Sequence, residues 1–559
     1  MLGAFLFPTT RPHRRSFHYK THDCRSVSQL GLQSRHAFHK DRERVYEADH
    51  APAGRYNRGS RYRERRGLAT SHLRPNDDVG GDNAMYMMLA RNLLEGHAYA
   101  DTGYAQSALA YLAPASYPPG FPIALAPALA MFGLNITAIK LYMIGLYGVA
   151  IAMCAWLAAT RLPADRTTSY WVIVGVAALV AWNPRFAGWA TLILSESVFV
   201  IVTYGALIAC DHAYRRLDSH RSCNALFTLA GGLILASLAT RVFGLALILA
   251  VWGYELVRYR RPTRFGVMLF VIAGLAGAVL LGPRLLGTST GETSYLTLVF
   301  QDLFAHLNEL PVTVSENLGH YGRLLRHYWL IVPGSATNQL VAAQWIAWLS
   351  LPVVAIGLWN RWRSSPSVIE IFALVYLASL LPWHSYGSRY LIPLMALYVV
   401  YLTAGLLRIE RVLSAPRHAV LWLACCLAIF GYGLTYRATA DFDHRIAPAA
   451  PNGPNATAMY RYIKQTTPKD TRILVRDPRT LALFTRRGAL TYTDNANDQS
   501  LPGFTRVVSY AREMGVDYVL ATPSDPGFAL LRWVNLYPNA FSFIYAEGPF
   551  RLYRLRKAN

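Results

Sequence analysis

The chain has 559 residues, of which 53% are hydrophobic and only 16% charged, with a mean hydropathy of +0.21 and a formal net charge of +23. A soluble chain of this length carries about a quarter charged residues, which excludes an ordinary cytosolic enzyme, a disordered scaffold and a secreted disulfide module. Uncharged stretches near the roughly 20 residues needed to cross a bilayer recur along the sequence. The reading is a mainly α, polytopic membrane protein.

In chain order, residues 1–76 come first as a basic N-terminus, with 16 Lys+Arg against 6 Asp+Glu in 1–74. Its apolar run, Met1–Phe7, is too short to span, and the Arg/His-rich stretch that follows resembles neither a signal peptide nor a packed domain. We expect it to be disordered or mis-assigned. Residues 77–137 read as a first external loop: three carboxylates (Asp77, Asp78, Asp82) precede an amphipathic helix too polar to span, which would lie along the interface. A rigid Ser116-Tyr-Pro-Pro-Gly-Phe-Pro122 turn follows.

Residues 138–436 read as the membrane domain. Apolar runs fall at 138–159, 169–183, 190–210, 225–240, 242–256, 265–283, 340–359, 367–383, 390–407 and 418–436, about ten candidate helices. Five linkers are basic: Arg161/Arg166, Arg215/Arg216/Arg221, Arg258/Arg260/Arg261/Arg264, Arg361/Arg363 and Arg408/Arg411/Arg417. Lys/Arg excess marks cytoplasmic loops, so all five share one side. Parity then requires two short helices in 225–256, turning near Thr240-Arg241, and a hairpin in 169–210 turning at Asn183-Pro184-Arg185. The external side receives 77–137, these turns, the 284–339 loop, 384–389 and everything after about 437. Residues 437–559 alternate helix-like (456–465, 503–514) and strand-like stretches (472–476, 517–521, 540–545, 550–555), which predicts an extracytoplasmic α/β domain.

The six cysteines show no CxxC or Cys/His metal spacing. The basic surplus lies in the tail and in short loops, where topology accounts for it better than nucleic acid does.

Several motifs then combine. The Gly81-Asp82 pair opens a Tyr/Leu/Ala helix ending in Asn92-Leu-Leu-Glu-Gly96, and Tyr117-Pro-Pro-Gly120 follows. Leu194-Ser-Glu196, Thr240-Arg241 and Ser388-Arg-Tyr-Leu-Ile-Pro393 stand at predicted outer ends, and Asp477-Pro478 and Thr485-Arg-Arg-Gly488 lie in the tail. Together these resemble the GT-C superfamily glycosyltransferases, nearest the group of dolichyl-phosphate-mannose–protein mannosyltransferases, aminoarabinose transferases and RgtA-like enzymes. The resemblance covers about 77–559. It departs from the family in lacking a first spanning helix.

This resemblance implies a multi-pass cell-envelope enzyme that moves a sugar from a polyprenyl-phosphate-linked donor to a glycolipid, glycan or protein acceptor hydroxyl at the outer face. It makes Asp82 the catalytic base and gives Glu196 the task of orienting the acceptor or helping to hold a divalent ion, metal dependence staying open. Arg389, Arg241 and Lys140 become candidate phosphate ligands, and Asp78, Tyr117 and Tyr390 candidate substrate contacts. Read without the family, Asp82 and Asp78 stand where helix caps would. Arg241, Arg389 and Lys140 would be snorkelling anchors, and Tyr390 and His384 interfacial aromatics. Two other classes compete: a transporter or flippase of an amphipathic lipid-linked substrate, and a lipid-linked glycan polymerase or ligase. Transporters tend to show repeats and midplane charges, whereas here the distinctive acids cluster in outer loops. A polymerase or ligase would more naturally centre on a strongly basic outer loop, which 284–339 is not.

The missing helix yields a test. Translating the genomic frames upstream of the Asp77 codon should reveal an apolar segment of about 18–20 residues, and finding none in any frame would remove that expectation.

Overall fold

The computed structural model describes residues 79–103, 117–162, 166–190, 192–285, 307–329, 337–383, 387–413, 419–439, 449–491, 501–523 and 529–556. A helix stands at each predicted apolar run: α3 (Ile136–Arg161), α4 (Arg166–Trp182), α6 (Glu196–Asp218), α7 (Asn224–Thr240), α8 (Leu245–Tyr259), α9 (Arg264–Leu285), α11 (Thr337–Ser364), α12 (Val368–Leu380), α13 (Ile392–Leu413) and α14 (Ala419–Thr439). Among the described residues, five segments are long and apolar enough to cross a bilayer: Ile136–Arg161, Glu196–Asp218, Val242–Tyr259, Ala343–Ser364 and Ser388–Leu413. The chain is a multi-pass membrane protein. The run expected from 190 starts later, because Pro184–Ala190 folds as its own short helix, α5, and α6 opens at Glu196.

Side-chain bonds sort the helix ends into two sets. At one end, Arg161 of α3 donates to Glu370 of α12 (2.8 and 3.0 Å) and to Asp211 of α6 (3.5 Å). Arg215 reaches the Thr160 carbonyl, and Asp218 accepts from Arg258 and Tyr259. Four of the basic linkers therefore meet there, and α13 runs its Arg408–Arg411 end the same way, since its Tyr401 donates to Glu370 (2.9 Å). Glu370 also closes a capping box with Ser367 at the start of α12. Ser388-Arg389, Glu196, Arg241 and Asn183 gather at the opposite end.

Close approach is needed at two places. A Cβ at Gly357 of α11 would meet the Tyr401 carbonyl, and one at Gly405 of α13 the Val353 carbonyl, so small residues let these helices touch backbone to backbone. A Cβ on Gly120 would lie 2.8 Å from the Thr240 nitrogen, so glycine lets α2 (Gly120–Phe132) abut the break between α7 and α8.

The C-terminal segment forms a five-stranded sheet ordered β2-β1-β3-β5-β4 from β1 (Arg472–Val475), β2 (Gly488–Leu490), β3 (Tyr518–Ala521), β4 (Phe541–Glu547) and β5 (Phe550–Leu555). β1 pairs parallel with β2 and β3, while β5 pairs antiparallel with β3 and β4. Its helices are α15 (Pro454–Thr466), α16 (Pro478–Thr485), α17 (Leu501–Glu513) and α18 (Ala529–Leu536). The sequence reading missed α16, β2 and α18, each eight residues or fewer, where periodicity has little to act on.

This layer is anchored to α1 (Gly81–Glu95), the amphipathic helix of the first loop. Met87 and Leu89 of α1 share one buried cluster with Ile473, Leu481, Ala482 and Leu552. Polar bonds rim the contact: Thr480 donates to the Val79 carbonyl (2.8 Å), Arg486 to Asn92 and Glu95 (2.6 Å each), and Arg91 to the Leu483 carbonyl (3.1 Å).

Arg161 is 1% exposed and Glu370 0%, so removing one partner strands a charge in the bundle, which typically costs about 3–5 kcal/mol. Arg161→Met should therefore lower the thermal unfolding midpoint in detergent by many degrees. An unchanged midpoint would show that this network contributes nothing.

Candidate active site

The Gly80-Gly81 pair sets the start of α1. Gly81 has φ +54°, and the N-cap is Gly80, without a side-chain capping bond. Asp82 is therefore not the cap that its position before the apolar stretch allows. It lies in the first helical turn, where a carboxylate also favours the helix dipole.

Its side chain turns instead to three donors. Tyr117 donates to Oδ1 (2.8 Å), Arg479 Nη1 donates to Oδ1 (3.1 Å) and Arg389 Nη1 to Oδ2 (3.0 Å). Each donor comes from a different part of the chain. Tyr117 precedes the Pro-Pro-Gly turn before α2, Arg389 lies in the 3-10 turn before α13, and Arg479 is the second residue of α16. Burial alone would raise the Asp82 pKa. The field and hydrogen bond of Arg389, with those of Tyr117 and Arg479, outweigh it and hold the carboxyl below its ordinary 3.8. Tyr117 is displaced the other way, its phenol pushed well above the ordinary range by burial and by the Asp82 charge. It is a donor here, not a base.

A second carboxylate stands alongside. Glu196 opens α6 and accepts from Arg241 Nη1 (2.7 Å), which also donates to Ser195 Oγ (3.0 Å). The other oxygen of Glu196 is enclosed and has no hydrogen-bond partner among the described residues. Tyr86, one helical turn after Asp82, donates to Ser195 Oγ (3.4 Å) and packs its ring 5.1 Å from that of Tyr117. The two carboxylates thus belong to one assembly joined by hydrogen bonds and a tilted ring contact. Tyr390 lies beneath both arginines, 5.6 Å from Arg241 and 5.4 Å from Arg389, a cation–π seat that fixes the guanidiniums.

Of the residues chosen from sequence, Asp82, Tyr117, Arg389, Glu196, Arg241 and Tyr390 come together. Lys140 is buried on α3 and bonds to neither carboxylate. Asp78 and His384 lie outside the described residues. Sequence reasoning missed Arg479, Tyr86 and Ser195. Tyr86 had a usable signal, its i+4 spacing from Asp82, and Ser195 stood inside a motif already quoted. Arg479 had none, since only tertiary docking brings α16 to α1.

Among the described residues no three His, Cys, Asp or Glu side chains converge, and each site carboxylate already faces a guanidinium. These residues do not form a divalent-ion site as they stand, so no step below runs through a metal.

No family model and no curated protein matches this sequence. Solved structures do match in fold. ArnT from Cupriavidus metallidurans bound to undecaprenyl phosphate superposes with a TM-score of 0.50 at 14% identity, over 87% of this chain and 95% of that one. The oligosaccharyltransferase of Archaeoglobus fulgidus in complex with Zn and sulfate gives 0.51 at 14% identity, over 83% and 68%. The chain shares the fold of these two structures.

The depressed Asp82 pKa fixes a sign. The clasp's stabilisation is present above the unfolded carboxyl pKa of about 4 and is lost as pH falls through the lower folded value. Asp82→Asn should therefore lower the thermal midpoint by a constant amount from about pH 5 to 7, and that difference should shrink as pH drops below 4. A difference that persists unchanged in acid would mean that the carboxylate charge is not what the arginines hold.

Proposed function

We propose that the protein is a membrane glycosyltransferase that moves a sugar from a polyprenyl-phosphate-linked donor to an acceptor hydroxyl, on the extracytoplasmic side. The observation that carries this reading is the Asp82 carboxylate clasped by Arg389, Arg479 and Tyr117, beside the Glu196–Arg241 pair, at one end of a GT-C bundle. The fold likeness to a structure that holds undecaprenyl phosphate supports the donor class.

The reaction needs an acceptor for one proton and cations for one departing phosphate. The acceptor hydroxyl attacks the anomeric carbon from the face opposite the phosphate. The carbon–oxygen bond to phosphate breaks, its electron pair staying on the phosphate oxygen, and the hydroxyl proton passes to Asp82. The released polyprenyl phosphate carries one more negative charge than the donor diester did. Guanidinium forks suit that developing charge.

The clasp makes Asp82 a weak base while Arg389 and Arg479 bond to it. A donor phosphate competes for the same guanidiniums, and each bond it draws away raises the carboxylate's affinity for a proton. Basicity thus rises when substrate is in place. Asp82 is 28% and Arg389 29% exposed, so both remain reachable from outside. The free oxygen of Glu196 supplies a second acceptor for a sugar or acceptor hydroxyl, with Arg241 holding the carboxylate in place.

Two variants test this. Asp82→Asn should reduce sugar transfer from a polyprenyl-phosphate donor by about 10²–10⁴-fold, the typical worth of a placed base, while expression and membrane insertion persist; full turnover would reject Asp82. Arg389→Ala should weaken donor binding by roughly ten-fold or more, the worth of a charge-assisted hydrogen bond, and leave acceptor affinity nearly unchanged. Equal losses for both substrates would count against its phosphate role.

A further inference from the structure

The arginines of the bundle do not all have counterions. Arg161 and Arg241 each have a carboxylate oxygen within 2.8 Å. Arg185, at the start of α5, does not. Its Nη2 lies 3.2 Å from His327 Nδ1, and its Nε is enclosed with no hydrogen-bond partner among the described residues. Arg326 approaches the other nitrogen of the same ring, with Nε 3.4 Å from His327 Nε2.

This arrangement leaves donors without acceptors. A neutral imidazole has one N–H and one lone pair, so it accepts from one guanidinium and turns an N–H toward the other. Protonation offers no escape, because burial and then the Arg185 and Arg326 charges push His327 down to about 3. Among the described residues no carboxylate bonds to Arg185 or Arg326. Enclosing the Arg185 Nε–H without an acceptor is unfavourable, so the fold holds it there against a cost.

The backbone is arranged to hold this cluster together. Asn183 is fully buried. Its Oδ1 accepts from the backbone N–H of Arg185 and Phe186 (3.0 Å each), and its Nδ2 donates to the Tyr328 carbonyl (2.8 Å) and Tyr432 Oη (3.0 Å). One amide thus locks the α4–α5 turn to the 326–328 turn. Tyr328 Oη in turn donates to the carbonyl of Ser388 (2.7 Å), and Trp189 of α5 donates to Ser388 Oγ (3.1 Å). The cluster stands behind the turn that carries Arg389, at the same end of the bundle as Asp82.

We propose that Arg185, Arg326 and His327 form a second anion site, built for a phosphate monoester and distinct from the Asp82 clasp. Two planar forks and an imidazole present more donors than the two oxygens of a carboxylate satisfy, whereas a phosphate monoester brings three terminal oxygens and up to two negative charges. The carrier of that phosphate is either a lipid, with the phosphate as headgroup, or the free inorganic ion. The site does not depend on sugar transfer taking place.

The test is calorimetric titration of the full chain, in neutral detergent and phosphate-free buffer, with inorganic phosphate and separately with a short-chain prenyl phosphate in mixed micelles. Arg185→Gln and Arg326→Gln should each weaken binding by roughly ten-fold or more, whereas the remote Arg363→Gln should leave it intact. Loss for both titrants assigns a site that reads phosphate whatever its carrier. Loss for the lipid alone assigns a headgroup site, and loss for inorganic phosphate alone a free-anion site. Unchanged affinity for both, or a loss confined to Arg389→Gln, overturns the proposal. A folding defect is told apart by a second measurement. Without phosphate, Arg185→Met should unfold at or above the wild-type temperature, because it removes an uncompensated cation. Only the wild type should gain stability when phosphate is added. A wild type that gains no stability from phosphate would equally overturn the proposal.

Discussion

The site depends on one electrostatic constraint: a half-buried carboxylate must find positive partners, and Asp82 finds them in Arg389 and Arg479. Neither arginine is near it in sequence. Arg389 is carried by a helix of the bundle and Arg479 by a domain that follows the last spanning segment. The carboxylate therefore ties first loop, bundle and C-terminal sheet together at a single point. Tyr117 fixes the fourth piece, the turn before α2, whose Gly120 lets it press against the α7–α8 break and so toward Arg241.

The two ends of the bundle use charge differently. Around Glu370 the charges are enclosed and mutually satisfied, with Arg161, Tyr401 and a capping box all directed at one carboxylate. That end is built to stay as it is. At the Asp82 end the partners are part-exposed and, among the described residues, one oxygen of Glu196 has no partner and Arg185 lacks a counterion. Incomplete satisfaction costs stability, and it leaves bonding capacity for a ligand. The contrast marks the end where bonding capacity is left over, without reference to which side of the membrane it faces.

Much of this was legible in the sequence. Basic linkers and parity located the turns at Asn183-Pro184 and Thr240-Arg241, because charge asymmetry is a property of short windows. Asp82, Glu196, Arg241 and Arg389 were singled out through the family resemblance of the motifs that hold them. What escaped was decided by tertiary contact. α16 is too short for its period to register, so Arg479 could not be foreseen beside Asp82. The free lone pair of Glu196 and the frustrated imidazole of His327 are relations between groups, and no single-residue property announces them. Lys140, also put forward from the sequence, is buried on α3.

The docking of α16 onto α1 bears on how such chains diverge. Thr480, Arg486 and Leu483 hold the first loop in register while their neighbour Arg479 reaches its carboxylate. The sheet domain is thus no interchangeable cassette. A chimera grafting it from a distant relative would have to import the matching first loop as well, or inherit a bundle whose acidic residue has lost half of its grip.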